Sequence, residues 1–222
     1  MAKKYAMLID LRRCVGCTSC QVSCKMENGV PVGTFRSRVS IADVGDFPNA
    51  KRHFLPLVCN QCDTAPCVMV CPVPGATTKR EDGIVAVNRD LCIGCGQCIA
   101  GCPYGARYLH ESIPVKNDPK PFYAKVPALK NKPVKDLRVV DKCDFCLTRL
   151  EAGLEEPACV RNCFGQAIVF GDVNDPESRI AKLIKSEKVK VLHEEYGTSP
   201  RVYYIASDQD VFKAANATVN PA

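Results

Sequence analysis

Sixteen cysteines in four groups of four constrain this 222-residue chain more than any other feature. Group one is Cys14, Cys17, Cys20 and Cys24, spaced C-x2-C-x2-C-x3-C. Group two is Cys59, Cys62, Cys67 and Cys71, spaced C-x2-C-x4-C-x3-C. Group three is Cys92, Cys95, Cys98 and Cys102, again C-x2-C-x2-C-x3-C and followed by Pro103. Group four is Cys143, Cys146, Cys159 and Cys163, spaced C-x2-C-x12-C-x3-C. The cysteine content falls short of the ~8–10% of short secreted disulfide scaffolds, and this chain is not short.

Group three is the complete bacterial ferredoxin run. A cubane cluster has an iron at each of four corners, and each iron takes one thiolate. Three closely spaced cysteines on a tight loop reach three corners. Gly16, Gly94 and Gly96 keep such loops free of bulk and permit unusual backbone angles. The fourth cysteine of each run is expected to point away, at the start of a helix, and in two-cluster ferredoxins it ligates the other cluster. Pro72 and Pro103, directly after Cys71 and Cys102, fit a turn into a new element. Disulfides and zinc are the alternatives, and group four alone resembles a zinc finger with cysteine in place of histidine. Groups one and three each pack four cysteines into eleven residues, tighter than zinc sites are built, so four [4Fe–4S] clusters are the expectation.

Groups two and three are separated by a hairpin-like stretch, with Asp82-Gly83 as its turn and residues 84–87 as a short strand. Residues 59–110 therefore read as an inner two-cluster module. Residues 1–58 plus 143–206 read as a discontinuous outer module, closed by pairing of predicted strands at 5–9 and 167–170. The fold class expected is α+β: two ferredoxin-like modules with short strands, short helices and long loops. Sequential pairing of group one with two and three with four remains open. Under nested pairing, the exchange rule predicts four ligand sets. They are Cys14, Cys17, Cys20 and Cys163; Cys59, Cys62, Cys67 and Cys102; Cys92, Cys95, Cys98 and Cys71; and Cys143, Cys146, Cys159 and Cys24.

Residues 111–142 are rich in proline and lysine and read as an irregular, surface-docked insertion. Beyond group four, Asp175 as N-cap and Pro176 at the first helical position predict a helix with Ile180, Leu183 and Ile184 on its apolar face. A turn at 197–200 and a strand at 202–205 follow, and residues 207–222 read as a frayed tail.

The formal charge of +6 suggests nucleic acid or an anionic membrane. Four oxidised clusters with their thiolates contribute about −8, however, so the loaded chain sits near about −2. No nucleic-acid-binding pattern is present. No apolar run of about 18 residues predicts a membrane span, and Asp10 interrupts the N-terminal apolar stretch too early for a secretory signal. His53, His110 and His193 are isolated in sequence, and no catalytic triad, Walker loop or GxGxxG fingerprint occurs. No substrate site, and so no catalytic residue, is expected in this chain.

Certain runs extend beyond spacing. Cys14-Val15-Gly16-Cys17, with Cys24-Lys25-Met26-Glu27-Asn28, resembles the iron–sulfur (electron-transfer) subunit of the dimethyl-sulfoxide-reductase family of molybdopterin oxidoreductases. So do Cys92-Ile93-Gly94-Cys95, Cys102-Pro103-Tyr104-Gly105, Lys142-Cys143-Asp144-Phe145-Cys146, Pro157-Ala158-Cys159 and Gly171-Asp172. Gly197-Thr198-Ser199-Pro200-Arg201 is similar to the polysulfide, thiosulfate and arsenate reductase branches. Cys163-Phe164 departs from the usual Cys-Pro, and the run after Cys71 is one residue longer than usual.

The resemblance implies a molybdenum or tungsten bis-pterin centre in a partner catalytic subunit. It also implies a membrane quinone-reacting subunit or another carrier, and a place on the periplasmic side of the cytoplasmic membrane, reached by export with the catalytic subunit. A cytoplasmic location is the alternative. The nested ligand sets match the family. A free-standing polyferredoxin is the rival reading. Lys25 and Lys142 adjoin ligand cysteines and either raise a cluster potential or face solvent.

Overall fold

The computed structural model describes residues 2–31, 33–110, 138–205, 211–212 and 219–220. Short strands alternate with short helices in a mixed α and β architecture. β1 (Tyr5–Asp10) leads into the first cysteine loop and α1 (Ser19–Asn28). A hairpin of β2 (Ser37–Val44) and β3 (Lys51–Val58), with no counterpart among the predicted elements, carries the chain to the second group. There follow α2 (Pro66–Met69), β4 (Thr77–Lys79), β5 (Val85–Val87), α3 (Gln97–Ala100) and β6 (Arg107–His110). The chain continues through β7 (Val139–Lys142), α4 (Leu147–Glu151), α5 (Ala158–Arg161), β8 (Ile168–Asp172), α6 (Arg179–Ser186), β9 (Val189–Val191) and β10 (Val202–Ile205).

β1 organises the fold. It lies inside a four-stranded sheet of order β8-β1-β10-β9, antiparallel to β8 and parallel to β10. The strands expected at 5–9 and 167–170 thus pair directly, with Ile9 opposite Ile168. Ala6, Met7, Leu8 and Ile9 are all 0% exposed, because both faces of this strand are covered. Alternation sends Ala6 and Leu8 against Val169, Ile180 and Ile205 beneath α6, and Met7 and Ile9 into the main core. Each of the larger side chains contributes about 1.5–3 kcal/mol through burial. That main core is continuous, joining Met7 and Ile9 to Leu55, Leu57, Ile84, Val85 and buried cysteines from all four groups.

Three expectations need correction. The helix near 180 is capped by Ser178, whose Oγ accepts from the Ala181 N–H at 3.2 Å. Asp175 instead accepts from the Glu177 N–H in a turn ahead of it, so the helix starts at Arg179 rather than at Pro176. Most of the proposed insertion, residues 111–137, lies outside the described residues, but Val139–Lys142 is a fully buried strand paired with β6. Its Asp141 and Lys142 look solvated in sequence and are buried because both find partners. The C-terminal tail is not frayed where described. Val211 and Val219 are buried, the Phe212 ring meets Tyr204 edge-on, and Asn220 exchanges hydrogen bonds with the main chain of Phe35 and Gly105.

Candidate iron–sulfur centres

The four cysteine groups share one local design. The third cysteine of each group is the second residue of a short helix: Cys20 in α1, Cys67 in α2, Cys98 in α3 and Cys159 in α5. The fourth lies four residues later, within α1 for Cys24 and just past the helix for Cys71, Cys102 and Cys163. The expectation that the fourth cysteine begins a helix is therefore corrected: the third opens the helix, and the fourth follows its end in groups two, three and four and lies inside α1 in group one. Cys102 donates its N–H to Ile99 O at 3.1 Å and Cys163 to Val160 O at 3.1 Å, closing those turns. One turn rises about 5.4 Å, so a single turn offers sulfurs to two adjacent cavities.

Two cavities each bring three cysteines of one group together with one of another. One is lined by Cys92, Cys95 and Cys98 of group three with Cys71 of group two and is partly open to solvent. The other is lined by Cys59, Cys62 and Cys67 of group two with Cys102 of group three. Among the described residues no three His, Cys, Asp or Glu side chains converge as around a single metal ion. None of the sixteen cysteines forms a disulfide. The donor set, four thiols on each cavity, fits a cubane.

The remaining eight cysteines gather likewise. Burial pushes the Cys20 thiol up to about 11, with the nearby Cys14, Cys163 and Cys17 adding to it. Burial pushes the Cys24 thiol up to about 12, Cys146 adding despite the opposing charge of Arg36. Cys143 and Cys159 are pushed well up by complete burial, each with Cys24 and Cys146 as neighbours. Buried thiols of this kind need a cation to become thiolates, and iron supplies that charge.

Loop geometry depends on Gly16 and Gly94, whose φ angles are +69° and +66°. A Cβ on Gly16 would lie 2.3 Å from the Phe54 ring of β3, and one on Gly94 would lie 2.2 Å from Arg138 O. These loops therefore seat against the hairpin and the approach to β7. The 197–201 motif straps the second loop: Asp63 and Thr64 donate their N–H groups to Ser199 O and Thr198 O, and Arg201 pairs with Asp63.

Several polar residues near the sulfurs carry no signal in the cysteine spacing. Asn28 Nδ2 lies 3.7 Å from both Cys24 Sγ and Cys146 Sγ. Arg36 holds the Asn28 oxygen at 2.9 Å and is itself paired with Asp141 and Asp144. Arg107 Nη2 donates to Cys67 Sγ at 3.0 Å. Backbone N–H groups of Val140 and Ala167 donate to Cys92 Sγ and Cys163 Sγ. Neither lysine is turned to solvent. Lys142 is 1% exposed and hydrogen-bonds Val85 O and Cys143 O. Lys25 bonds Pro31 O and Thr34 O and sits over the Phe35 ring. His193 pairs with Glu195, and His110 ends β6.

The cysteine runs and the cavities they line define a ferredoxin-type iron–sulfur protein. Residues 50–117 and 111–173 each match the family described as 4Fe-4S dicluster domain. The chain is 45% identical over 214 residues to the B subunit of selenate reductase from Mesobacillus selenatarsenatis, covering 91% of this protein and 72% of that one. It is 43% identical over 223 residues to the B subunit of tetrathionate reductase from Salmonella typhimurium, covering 99% and 79%. It is 39% identical over 228 residues to the arsenate respiratory reductase iron–sulfur subunit ArrB of a Shewanella species, covering 92% and 97%. This protein belongs to the iron–sulfur electron-transfer subunits of the dimethyl-sulfoxide-reductase family of molybdopterin oxidoreductases, and it carries [4Fe–4S] clusters. Among the described residues no helix is long and apolar enough to cross a membrane.

Proposed function

We propose that this subunit relays single electrons through four [4Fe–4S] clusters between a molybdopterin catalytic subunit and a membrane quinone-reacting subunit or another carrier. The observation that carries this reading is the pair of cavities that each join three cysteines of one group to the fourth of another. The proposed ligand sets are Cys14, Cys17, Cys20 and Cys163; Cys143, Cys146, Cys159 and Cys24; Cys59, Cys62, Cys67 and Cys102; and Cys92, Cys95, Cys98 and Cys71. The inner module is residues 59–110, and the outer is residues 1–58 with 143–206. When bound, the clusters supply one-electron chemistry between 2+ and 1+ states.

The residues support an order along the relay. Cys20 of the first set neighbours Cys159 of the second, Cys143 of the second neighbours Cys59 of the third, and Cys67 of the third neighbours Cys98 of the fourth. Cys17 and Cys95, in the two outermost sets, are the exposed cysteines. Beside them, Val15 is 57%, Phe164 83% and Ile93 66% exposed, which favours protein partners at both ends over a free shuttle. Location on the periplasmic side, by export with the catalytic subunit, is part of the proposal.

Anaerobic purification with co-purifying proteins, followed by iron, sulfide, molybdenum and tungsten assays, tests it. A large molybdenum- or tungsten-containing partner with about sixteen irons on this chain is the expected result. A monomer with the same iron and neither metal would support a soluble polyferredoxin instead.

A further inference from the structure

Arg107, the first residue of β6, is 2% exposed and is among the largest fully buried side chains. Arg36, Arg149 and Arg201 have carboxylate partners: Arg36 has Asp141 and Asp144, Arg149 has Glu27, and Arg201 has Asp63. No carboxylate pairs with Arg107 among the described residues. Its Nη2 donates to Cys67 Sγ at 3.0 Å, while Nε and Nη1 are buried with no partner among the described residues. A guanidinium has five donors in a fixed fork, and a buried cation with idle donors costs several kcal/mol unless an anion is within reach.

The surroundings identify that anion. Arg107 lines the cavity of Cys59, Cys62, Cys67 and Cys102. Asn60, 1% exposed on the same wall, also has an unpartnered side-chain amide. Burial opposes the Arg107 charge, but the sulfurs of Cys67, Cys59 and Cys98 outweigh it. The neighbouring cavity, by contrast, is lined by its four cysteines and otherwise by uncharged residues.

We infer that Arg107 is a redox-positioning residue, which donates hydrogen bonds and a fixed positive charge to the cluster held by Cys59, Cys62, Cys67 and Cys102 and thereby raises its potential. The inference rests on the ligand assignment proposed above. Reduction adds one negative charge with no bond made or broken. A fixed cation therefore stabilises the reduced state more than the oxidised one. Arg107 acts on Cys98 of the next set too, by charge and by a hydrogen bond, but it lines only the cavity of the Cys59 set and sits 3.0 Å from Cys67 Sγ, so the second cluster is raised by a smaller amount. Arg107 thus biases the electron towards the interior of the relay rather than its exposed end.

The test is an anaerobic potentiometric titration followed by electron paramagnetic resonance, on full-length wild type and on Arg107→Met, Arg107→Gln and Arg107→Lys, each first assayed for iron and sulfide. Dithionite-reduced mediator dyes supply the electrons. In iron-replete Arg107→Met, one step should move to lower potential by at least about tenfold in the oxidised-to-reduced ratio, about 59 mV for one electron. A second step should move less, and Arg107→Lys should recover part of the shift. Unchanged steps in an iron-replete variant, or an equal shift of all steps, would overturn this inference alone. If Arg107→Met loses iron, the other two variants decide, and loss of iron from all three would overturn it in favour of a folding role. Wild type short of about sixteen irons would sink the ligand assignment and this inference with it.

Discussion

Arg36 grips the Asp141 carboxylate with two hydrogen bonds, Nη2 to Oδ1 at 2.6 Å and Nε to Oδ2 at 2.9 Å, and both side chains are buried. The pair joins the segment after α1 to β7. Through its second amino group, Arg36 also orients Asn28 towards Cys24 and Cys146. Asp141 further accepts from Tyr108 and pairs with Arg89.

Replacing Asp141 with Asn leaves the buried Arg36 with only Asp144 as anion. Breaking a buried pair from one side costs about 3–5 kcal/mol, and the remaining Asp144 holds the expected loss near the lower end. Anaerobic thermal unfolding of iron-replete wild type and Asp141→Asn measures it. A difference below about 1 kcal/mol, the ceiling for most surface pairs, would show that the pair contributes little to stability.

The ligand exchange is testable by combining substitutions. If Cys62 and Cys102 serve one cluster, Cys62→Ala with Cys102→Ala should lose no more iron than either alone, leaving about twelve irons. If Cys98 and Cys102 serve different clusters, Cys98→Ala with Cys102→Ala should leave about eight. The opposite pattern would assign Cys102 to its own sequence group.

His110 gives the fold a pH dependence distinct from that of the sulfurs. Its Nδ1 is buried without a partner among the described residues, and burial holds its pKa below 6.5, with Asp141 opposing and Arg89 and Arg36 assisting. Below 6.5 the unfolded chain protonates first, so the folded state loses stability as pH falls from 6.5 towards the depressed folded value. Unfolding midpoints between about pH 5.5 and 7.5 should slope upward with pH, and His110→Gln should flatten that slope. Parallel curves for the two proteins would rule His110 out as the source.

Nine of the sixteen cysteines are buried. Cys20, Cys59, Cys62, Cys67, Cys98, Cys143 and Cys159 are part of one continuous core cluster, and Cys24 and Cys146 are equally buried outside it. Removing iron leaves holes where the core should be packed, so binding free energy is folding free energy here. Anaerobic chelation should abolish cooperative unfolding and expose the protein to limited proteolysis. An apo-protein that melts as sharply as the loaded one would contradict this.

Elements read from local signals reappear in the structure. The 202–205 strand is present as expected, and the Asp82-Gly83 turn joins β4 to β5, with Gly83 at φ +83°. Local signals also misled. Asp175 has a capping side chain, yet Ser178, closer to the apolar face, takes that role. Asp141-Lys142 reads as a solvated end to a polar insertion, because charge in a sequence does not show whether a partner exists to bury it.

The sequence by itself determined the grouping of the sixteen thiols from which the iron ligands are proposed, since thiol spacing is covalent and a tight loop admits few other ligands. It also determined the local turns, through glycine, proline and the positions of the cysteines. Only the tertiary structure decided which ordinary polar residues surround the sulfurs. Arg107 lies forty residues from Cys67, Asn28 lies 118 from Cys146, and Arg36 lies 105 from Asp141. The charges and hydrogen bonds that set a redox potential act through space, at distances that only the packed chain establishes.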